Sequence, residues 1–139
     1  MASISLDERS QNADTLLRYF AESAPQQLRA PAGILRYPSV SPSLPGKMYS
    51  TQLWDWDTLW TSQGLFRVAA LQHDDGLRRK LCEHVSGSLL NFLDHASADG
   101  KIPILMSAND PDPLRSVGSG ESKNQAKPIF GQLGLLASD

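Results

Sequence analysis

The sequence predicts an all-α protein built from helical hairpins joined by long loops. Three observations favour this class: apolar residues recur at helical spacing in several segments, only a short polar turn separates two of those segments, and most prolines fall in the connections. The chain has 139 residues, of which 40% are hydrophobic, so it is long enough to bury a core. We therefore treat residues 1–139 as a single α-helical segment.

The first helix is predicted from residue 12 or 14 to residue 28, because apolar side chains from Leu16 onward recur with helical period. Pro25 predicts a break near Ala24, since proline lacks the amide donor and clashes with the preceding turn. Residues 30–47 are rich in proline and show no periodicity, which predicts a long irregular connection. Loops of this length in a compact domain are usually functional or act as linkers.

The next two helices are predicted at residues 54–72 and 76–98, where apolar residues again follow the helical period. His73 begins a short turn between them, and either Asp74 or Asp75 is expected to cap the later helix. Two helices of similar length joined by a short turn form a helical hairpin.

A second long loop is predicted at residues 101–127, which are rich in Asn, Asp, Pro, Ser and Gly. The fourth helix is then predicted to begin at Pro128, because the first helical position tolerates a missing amide donor. Apolar residues continue from Ile129 to Leu136. The chain thus alternates helices with long loops.

Composition excludes several classes of function. The formal net charge is −2 and the basic residues are scattered, so we expect no nucleic-acid partner. No apolar stretch approaches the ~20 residues that span a bilayer, and the N-terminus lacks the pattern of a secretory signal. We therefore expect no membrane association and a cytoplasmic location.

The residues that usually bind metals are not expected to form a metal site. His73, His84 and His95 recur at equal intervals, but on a helix each lies about 16 Å from the next, too far to share one ion. Cys82 is the only cysteine and is expected to pack as a small hydrophobic residue. No metal and no other cofactor is expected.

All three tryptophans, Trp54, Trp56 and Trp60, lie close together and alternate with two carboxylates. Flat apolar rings beside carboxylates suit the binding of a sugar, although a cluster of tryptophans on a helix is also typical of a core. On a helix Asp55 and Asp57 point away from each other, so they are poor candidates for a cooperating acid and base. Asp57 is expected in the first turn, where the helix dipole favours a carboxylate.

The segment QLWDWDTLWTSQGL resembles the tryptophan–aspartate motif near the start of the catalytic domain of inverting glycosidases with the (α/α)6-toroid, or six-hairpin, fold. This group includes trehalases and the processing α-glucosidase-like enzymes of glycoside hydrolase family 63. Further matches in order and spacing follow at Gly100, Ile102 and Pro103 and at Asn124, Lys127 and Pro128. The resemblance implies a partial toroid of about four helices.

The resemblance also implies which residues bind the sugar. Trp56 would provide a stacking wall and Asp57 would accept hydroxyl hydrogen bonds, with Trp54 beside them. Gln125 and Lys127 would contribute from the second loop. All five are therefore candidate substrate-binding residues.

The catalytic acid and base of the resembled enzymes lie in later hairpins, so no catalytic residue is assigned here. The expected partners are an α-glucoside and the remainder of the catalytic domain. Thr51 and Gln52 stand where trehalases carry an arginine-bearing segment, which favours an α-glucoside other than trehalose.

Three hypotheses follow for the function. The chain is a fragment of an inverting glycoside hydrolase that holds part of the sugar pocket without the acid and base. Alternatively, it is a non-catalytic helical module that binds carbohydrate or another protein. In the third hypothesis it is a plain four-helix domain whose tryptophans are core. Exposure of the tryptophans distinguishes this hypothesis from the other two.

Overall fold

The computed structural model describes residues 5–114 and 126–138, and within them the protein is mostly helical, which confirms that part of the predicted fold class. The α-helices are α1 (Leu6–Ser23), α2 (Asp55–Gln72), α3 (Asp75–Asp94) and α4 (Phe130–Ser138). The short strands are β1 (Leu28–Arg29), β2 (Ser39–Val40), β3 (Gln52–Trp54) and β4 (Leu105–Ser107). None of the helices in these ranges is both long enough and apolar enough to cross a membrane.

Helix α1 begins at Leu6, so the predicted start at residue 12 or 14 is wrong. The start is fixed by a capping box: the Ser5 hydroxyl accepts from the Glu8 amide, and the Glu8 carboxylate accepts from the Ser5 amide. The predicted break near Ala24 is confirmed, because α1 ends at Ser23 and a single 3-10 turn with Pro25 in its first turn follows.

The hairpin of α2 and α3 matches the prediction closely. His73 adopts the left-handed conformation, with φ of 51°, and its amide donates to the carbonyls of Ala69 and Ala70, which ends α2. Of the two candidate caps, Asp74 is the one used: its carboxylate accepts from the Leu77 amide at 2.8 Å. The sequence predicted this turn because its capping residues act locally.

The predicted end of α3 and the predicted start of α4 are both wrong. Helix α3 ends at Asp94 rather than residue 98, because the amides of His95 and Ala96 bond to carbonyls only three residues back and tighten the last turn. Helix α4 begins at Phe130, so Pro128 precedes the helix instead of opening it.

The two long loops are not wholly irregular, contrary to the prediction. Each loop contains one short strand. In the first loop, β2 pairs antiparallel with β1; in the second, β4 pairs antiparallel with β3, with Leu53 opposite Met106. Strands of two or three residues are too short to show a periodic pattern in sequence. The pairing of β3 with β4 brings the second loop to the start of α2.

The main core lies where α2, α3 and α4 pack together. Its buried side chains come from all three helices and from β2, and they include Leu59, Leu65, Ala69, Leu77, Leu81, Val85, Leu133 and Val40. A smaller cluster of Leu35, Leu53, Phe92 and Met106 lies under the β3–β4 pair. Helix α1 remains outside both clusters, and its only buried residue is Ser23.

A buried polar strip on α3 holds β2 and the segment before it. The side-chain amide of Asn91 donates to the Tyr37 carbonyl and its oxygen accepts from the Tyr37 amide, at 3.0 and 3.1 Å. The Ser88 hydroxyl accepts from the Val40 amide at 2.9 Å. These bonds satisfy backbone groups that would otherwise be buried without partners.

Candidate functional site

The candidate site lies at the first turn of α2, directly after β3. Trp54 ends the strand with extended backbone angles and is the residue that precedes the helix. The amide of Asp55, the first helical residue, donates to the Ile104 carbonyl at 2.9 Å. This bond satisfies one of the free amides of the helix N-terminus and fixes the direction in which α2 starts.

Asp55 is fully buried, with 0% of its surface exposed. Its Oδ2 accepts from the Lys127 backbone amide at 2.8 Å and lies 3.6 Å from the Lys127 ammonium. Its Oδ1 is buried and has no hydrogen-bond partner among the described residues. A single carboxylate oxygen thus ties the second loop to α2 across 72 positions of sequence.

Lys127 also contacts Trp56. The lysine Nζ lies over the indole ring, 5.2 Å from its centroid, within the range of a cation–π interaction. Trp56 is 46% exposed and the Lys127 side chain is 47% exposed, so both remain accessible to a ligand. Two of the predicted site residues, from distant parts of the sequence, are therefore in contact.

Trp54 has different surroundings. Its indole N–H donates to the side chain of Gln52 at 2.8 Å, and its ring meets the Tyr49 ring edge-on, with 5.5 Å between the centroids.

Asp57 lies in the first turn of α2 as predicted, and it is half-buried. It makes no ion pair with any residue in the described part of the chain. Gln125, the fifth predicted residue, lies outside the described residues.

Trp60 lies one helical turn beyond Trp56 and is 60% exposed. It lines an apolar groove of about 690 Å³ between α1 and α2, together with Leu16, Phe20 and Leu71. Because Trp56 and Trp60 are both exposed, the tryptophan cluster is not the core of the protein. The hypothesis of a plain four-helix domain with core tryptophans is therefore set aside.

Asp55 is the site residue that the sequence analysis missed. The sequence predicts Asp55 only as a carboxylate that points away from Asp57. A signal was present, because Asp55, Leu59 and Ser62 share one face of α2 with Thr58, and all of them are buried. Three of these four residues are polar, so the face does not show the apolar stripe that predicts a core position.

Groups with shifted pKa values lie outside this site. Hydrogen bonds from Ser97 and from Lys101 lower the pKa of Asp99 to about 2. Burial lowers the pKa of Arg29, whose guanidinium donates to the backbone carbonyls of Ser43 and Ser50.

In residues 5–114 and 126–138 there is no cluster of three or more His, Cys, Asp or Glu side chains that could hold a metal ion.

Comparison with models of protein families, with curated proteins and with solved structures found no match. The chemistry of the site is therefore the basis for assigning a function. It offers an accessible aromatic ring, an ammonium held against that ring, and a half-buried carboxylate in the same helical turn.

Proposed function

We propose that this chain forms part of the sugar-binding pocket of an inverting glycoside hydrolase that acts on α-glucosides. The observation that supports it is the contact of Lys127 with Trp56, the residue that precedes Asp57 in the first turn of α2. A sugar ring can stack on the exposed indole, while the ammonium donates to its hydroxyls and the Asp57 carboxylate accepts from them. These are residues that the tryptophan–aspartate resemblance implies for sugar binding.

The proposal assigns no catalytic residue to this chain. Inverting hydrolysis needs a protonated carboxyl group and a carboxylate on opposite sides of the glycosidic bond, about 6.5–9.5 Å apart. Asp55 is buried and bound to Lys127, so it does not suit either role. We propose that the acid and base come from the remainder of the catalytic domain.

The architecture proposed for the complete domain is the (α/α)6 toroid, of which these helices would form the first hairpins. In such a ring, each hairpin packs against its neighbours. The apolar groove between α1 and α2, with Leu16, Phe20 and Trp60 exposed along it, offers a surface for the remainder of the catalytic domain.

The same groove supports a second candidate function, a non-catalytic module that binds another protein. Grooves between helices that expose aromatic and aliphatic side chains are common docking sites for amphipathic helices. This candidate differs from the first in where its ligand binds, because Trp60 lines the groove whereas Trp56 contacts Lys127.

Tryptophan fluorescence titrated with methyl α-glucoside, trehalose and maltose tests the proposed sugar binding. We expect a saturable change that is lost in Trp56→Ala and in Asp57→Ala. Trp60→Ala is the matched control, because it removes an exposed tryptophan from the same helix without touching Lys127.

Two results would contradict the proposal: no saturable change with any of the sugars, or an equal loss of binding in Trp60→Ala. If sugar binds, adding the remaining hairpins of a toroidal glycosidase tests the enzymatic part. Hydrolysis restored by that addition supports the hydrolase, whereas sugar binding without hydrolysis supports a non-catalytic module that binds carbohydrate.

A further inference from the structure

The buried carboxylate of Asp55 makes the most specific polar contacts at the candidate site, yet it cannot reach a sugar. Its Oδ2 contacts both the backbone amide and the ammonium of one residue, Lys127. A carboxylate that is merely placed beside a lysine would contact only the end of the side chain. Here the carboxylate fixes both ends of the lysine.

Stability alone is a poor explanation for this arrangement. Removing a carboxylate from water is costly, and an ion pair whose lysine is half exposed regains only part of that cost. Asp55 also leaves Oδ1 buried without a partner among the described residues, which adds to the cost. The neighbouring core position on this face, Leu59, is apolar.

The contacts have a direct effect on the position of the ammonium. A lysine side chain has four rotatable carbons, and the head group of an exposed lysine moves freely. Because Asp55 holds both the backbone and the head group of Lys127, the ammonium lies over the Trp56 ring. The ammonium lies over one face of that ring, and 46% of the Trp56 surface stays exposed to a ligand.

We propose that Asp55 is a positioning residue of the sugar site, which holds the Lys127 ammonium on one face of Trp56 and neutralises its charge there. The inference rests on the proposed sugar binding. Asp55 and Lys127 together carry no net charge, and Asp57 adds a negative charge in the same turn. A sugar that carries a carboxylate is therefore disfavoured, and Asp55 is the residue that sets this preference.

The test compares the binding of methyl α-glucoside with that of methyl α-glucuronide, which differs by one carboxylate. Asp55→Asn preserves the shape of the side chain and removes its charge, which leaves the ammonium uncompensated. We expect the affinity for the glucuronide relative to the glucoside to rise about fivefold in this variant, as for a partly exposed ion pair. Asp75→Asn is the matched control, because it removes a first-turn carboxylate from α3, about 25 Å away along α2.

Lys127→Met supplies an independent variant in case Asp55→Asn does not fold. Without the ammonium, the relative affinity for the glucuronide should fall, since Asp55 and Asp57 are then uncompensated. NMR adds a measurement that needs no sugar. The ε-methylene protons of Lys127 should be shifted upfield by the Trp56 ring in the natural protein, and the shift should disappear in Asp55→Asn.

The outcomes separate this inference from the proposed function. If the natural protein binds the glucoside but neither Asp55→Asn nor Lys127→Met changes the preference between the two sugars, the inference is overturned and the sugar site stands. If Asp55→Asn leaves the upfield shift of Lys127 intact, Asp55 does not position the ammonium. If the natural protein binds neither sugar, the proposed function fails and this inference fails with it.

Discussion

Gly87 lies where α3 passes closest to the segment that leads into β2. A Cβ atom at this position would lie 2.0 Å from the Pro38 carbonyl oxygen, which is far too close for two unbonded atoms. We expect Gly87→Ala to lower the free energy of unfolding by about 1–3 kcal/mol, because the clash displaces a segment that Ser88 and Asn91 hold in place.

The matched control for Gly87 is Gly64→Ala on α2, where a Cβ would meet nothing within 4 Å. Alanine is the better helix former, so this substitution should raise the free energy of unfolding by about 0.5–1 kcal/mol. Urea denaturation of both variants measures the two effects. Equal effects of the same sign would mean that α3 does not approach Pro38 this closely.

The residues of the candidate site differ in how far the sequence could predict them. The resemblance names both Trp56 and Lys127, but no local pattern shows that they touch, because the bond from the Lys127 amide to Asp55 joins positions 72 apart in the sequence. Asp55 was missed because its face of α2 mixes polar with apolar residues. Sugar binding by Trp54 stays a prediction; its indole N–H donates to Gln52.

At the scale of single elements, the α2–α3 turn allows a prediction about capping. Asp74 accepts a hydrogen bond from the Leu77 amide, so Asp74→Ala should lower the free energy of unfolding by about 1 kcal/mol. Asp75→Ala removes only a carboxylate that interacts with the helix dipole, so its cost should be about 0.3–0.5 kcal/mol. Thermal or urea unfolding of the two variants would contradict this assignment if Asp75→Ala were the more damaging.

Helix α1 allows a prediction about pH, because its first turn depends on the capping box of Ser5 and Glu8. Hydrogen bonds from the backbone and the hydroxyl of Ser5 lower the pKa of Glu8 in the folded helix. A lowered pKa means that the stabilisation is present above the ordinary carboxyl pKa and is lost as the pH falls through the folded value. We expect the helical content of α1 to decrease over that acidic range.

Hydrogen exchange or circular dichroism followed during acid titration measures this loss. Glu8→Gln is the control, because glutamine can still bond to the Ser5 amide but does not titrate. The natural protein and Glu8→Gln should therefore diverge only at acidic pH. Identical titrations would show that the capping box contributes nothing to α1.

The elements that the sequence predicted best are those whose ends depend on adjacent residues. The α2–α3 turn is an example, since the αL conformation of His73 and the cap of Asp74 both act within one turn of helix. Helix α3 ends before its predicted end because the amides of His95 and Ala96 bond to carbonyls three residues back instead of four. No single residue type in the sequence predicts that change of hydrogen bonding. The strands were missed because their stability comes from partners far away in the sequence.

At the scale of the whole molecule, the sequence predicted the helical class but not the way in which the loops join the helices. The helical class follows from periodicity, which is a local property. Lys127 is attached to Asp55 by a backbone hydrogen bond and a partly exposed ion pair, and neither produces a periodic pattern in the sequence. The partial toroid stays a prediction that rests on the resemblance.

Helix α1 presents most of its apolar side chains to solvent, and this exposure predicts how the isolated chain behaves. Leu16, Phe20 and Trp60 line the groove between α1 and α2, and each is at least 46% exposed. Contiguous apolar surface of this kind favours association in water. We expect a second copy of the chain to cover it, so that the sedimentation coefficient rises with protein concentration.

Leu16→Lys places a charge in the groove and should weaken the association about tenfold, the effect of roughly 1.4 kcal/mol on a dissociation constant. Met48→Lys is the control, because Met48 is 73% exposed but does not line the groove. Sedimentation velocity over a range of concentrations distinguishes the variants. If the natural chain sediments as a monomer throughout and unfolds in one cooperative transition, then α1 and α2 need no covering partner, and the proposal that further hairpins of a toroid pack on this groove loses its support.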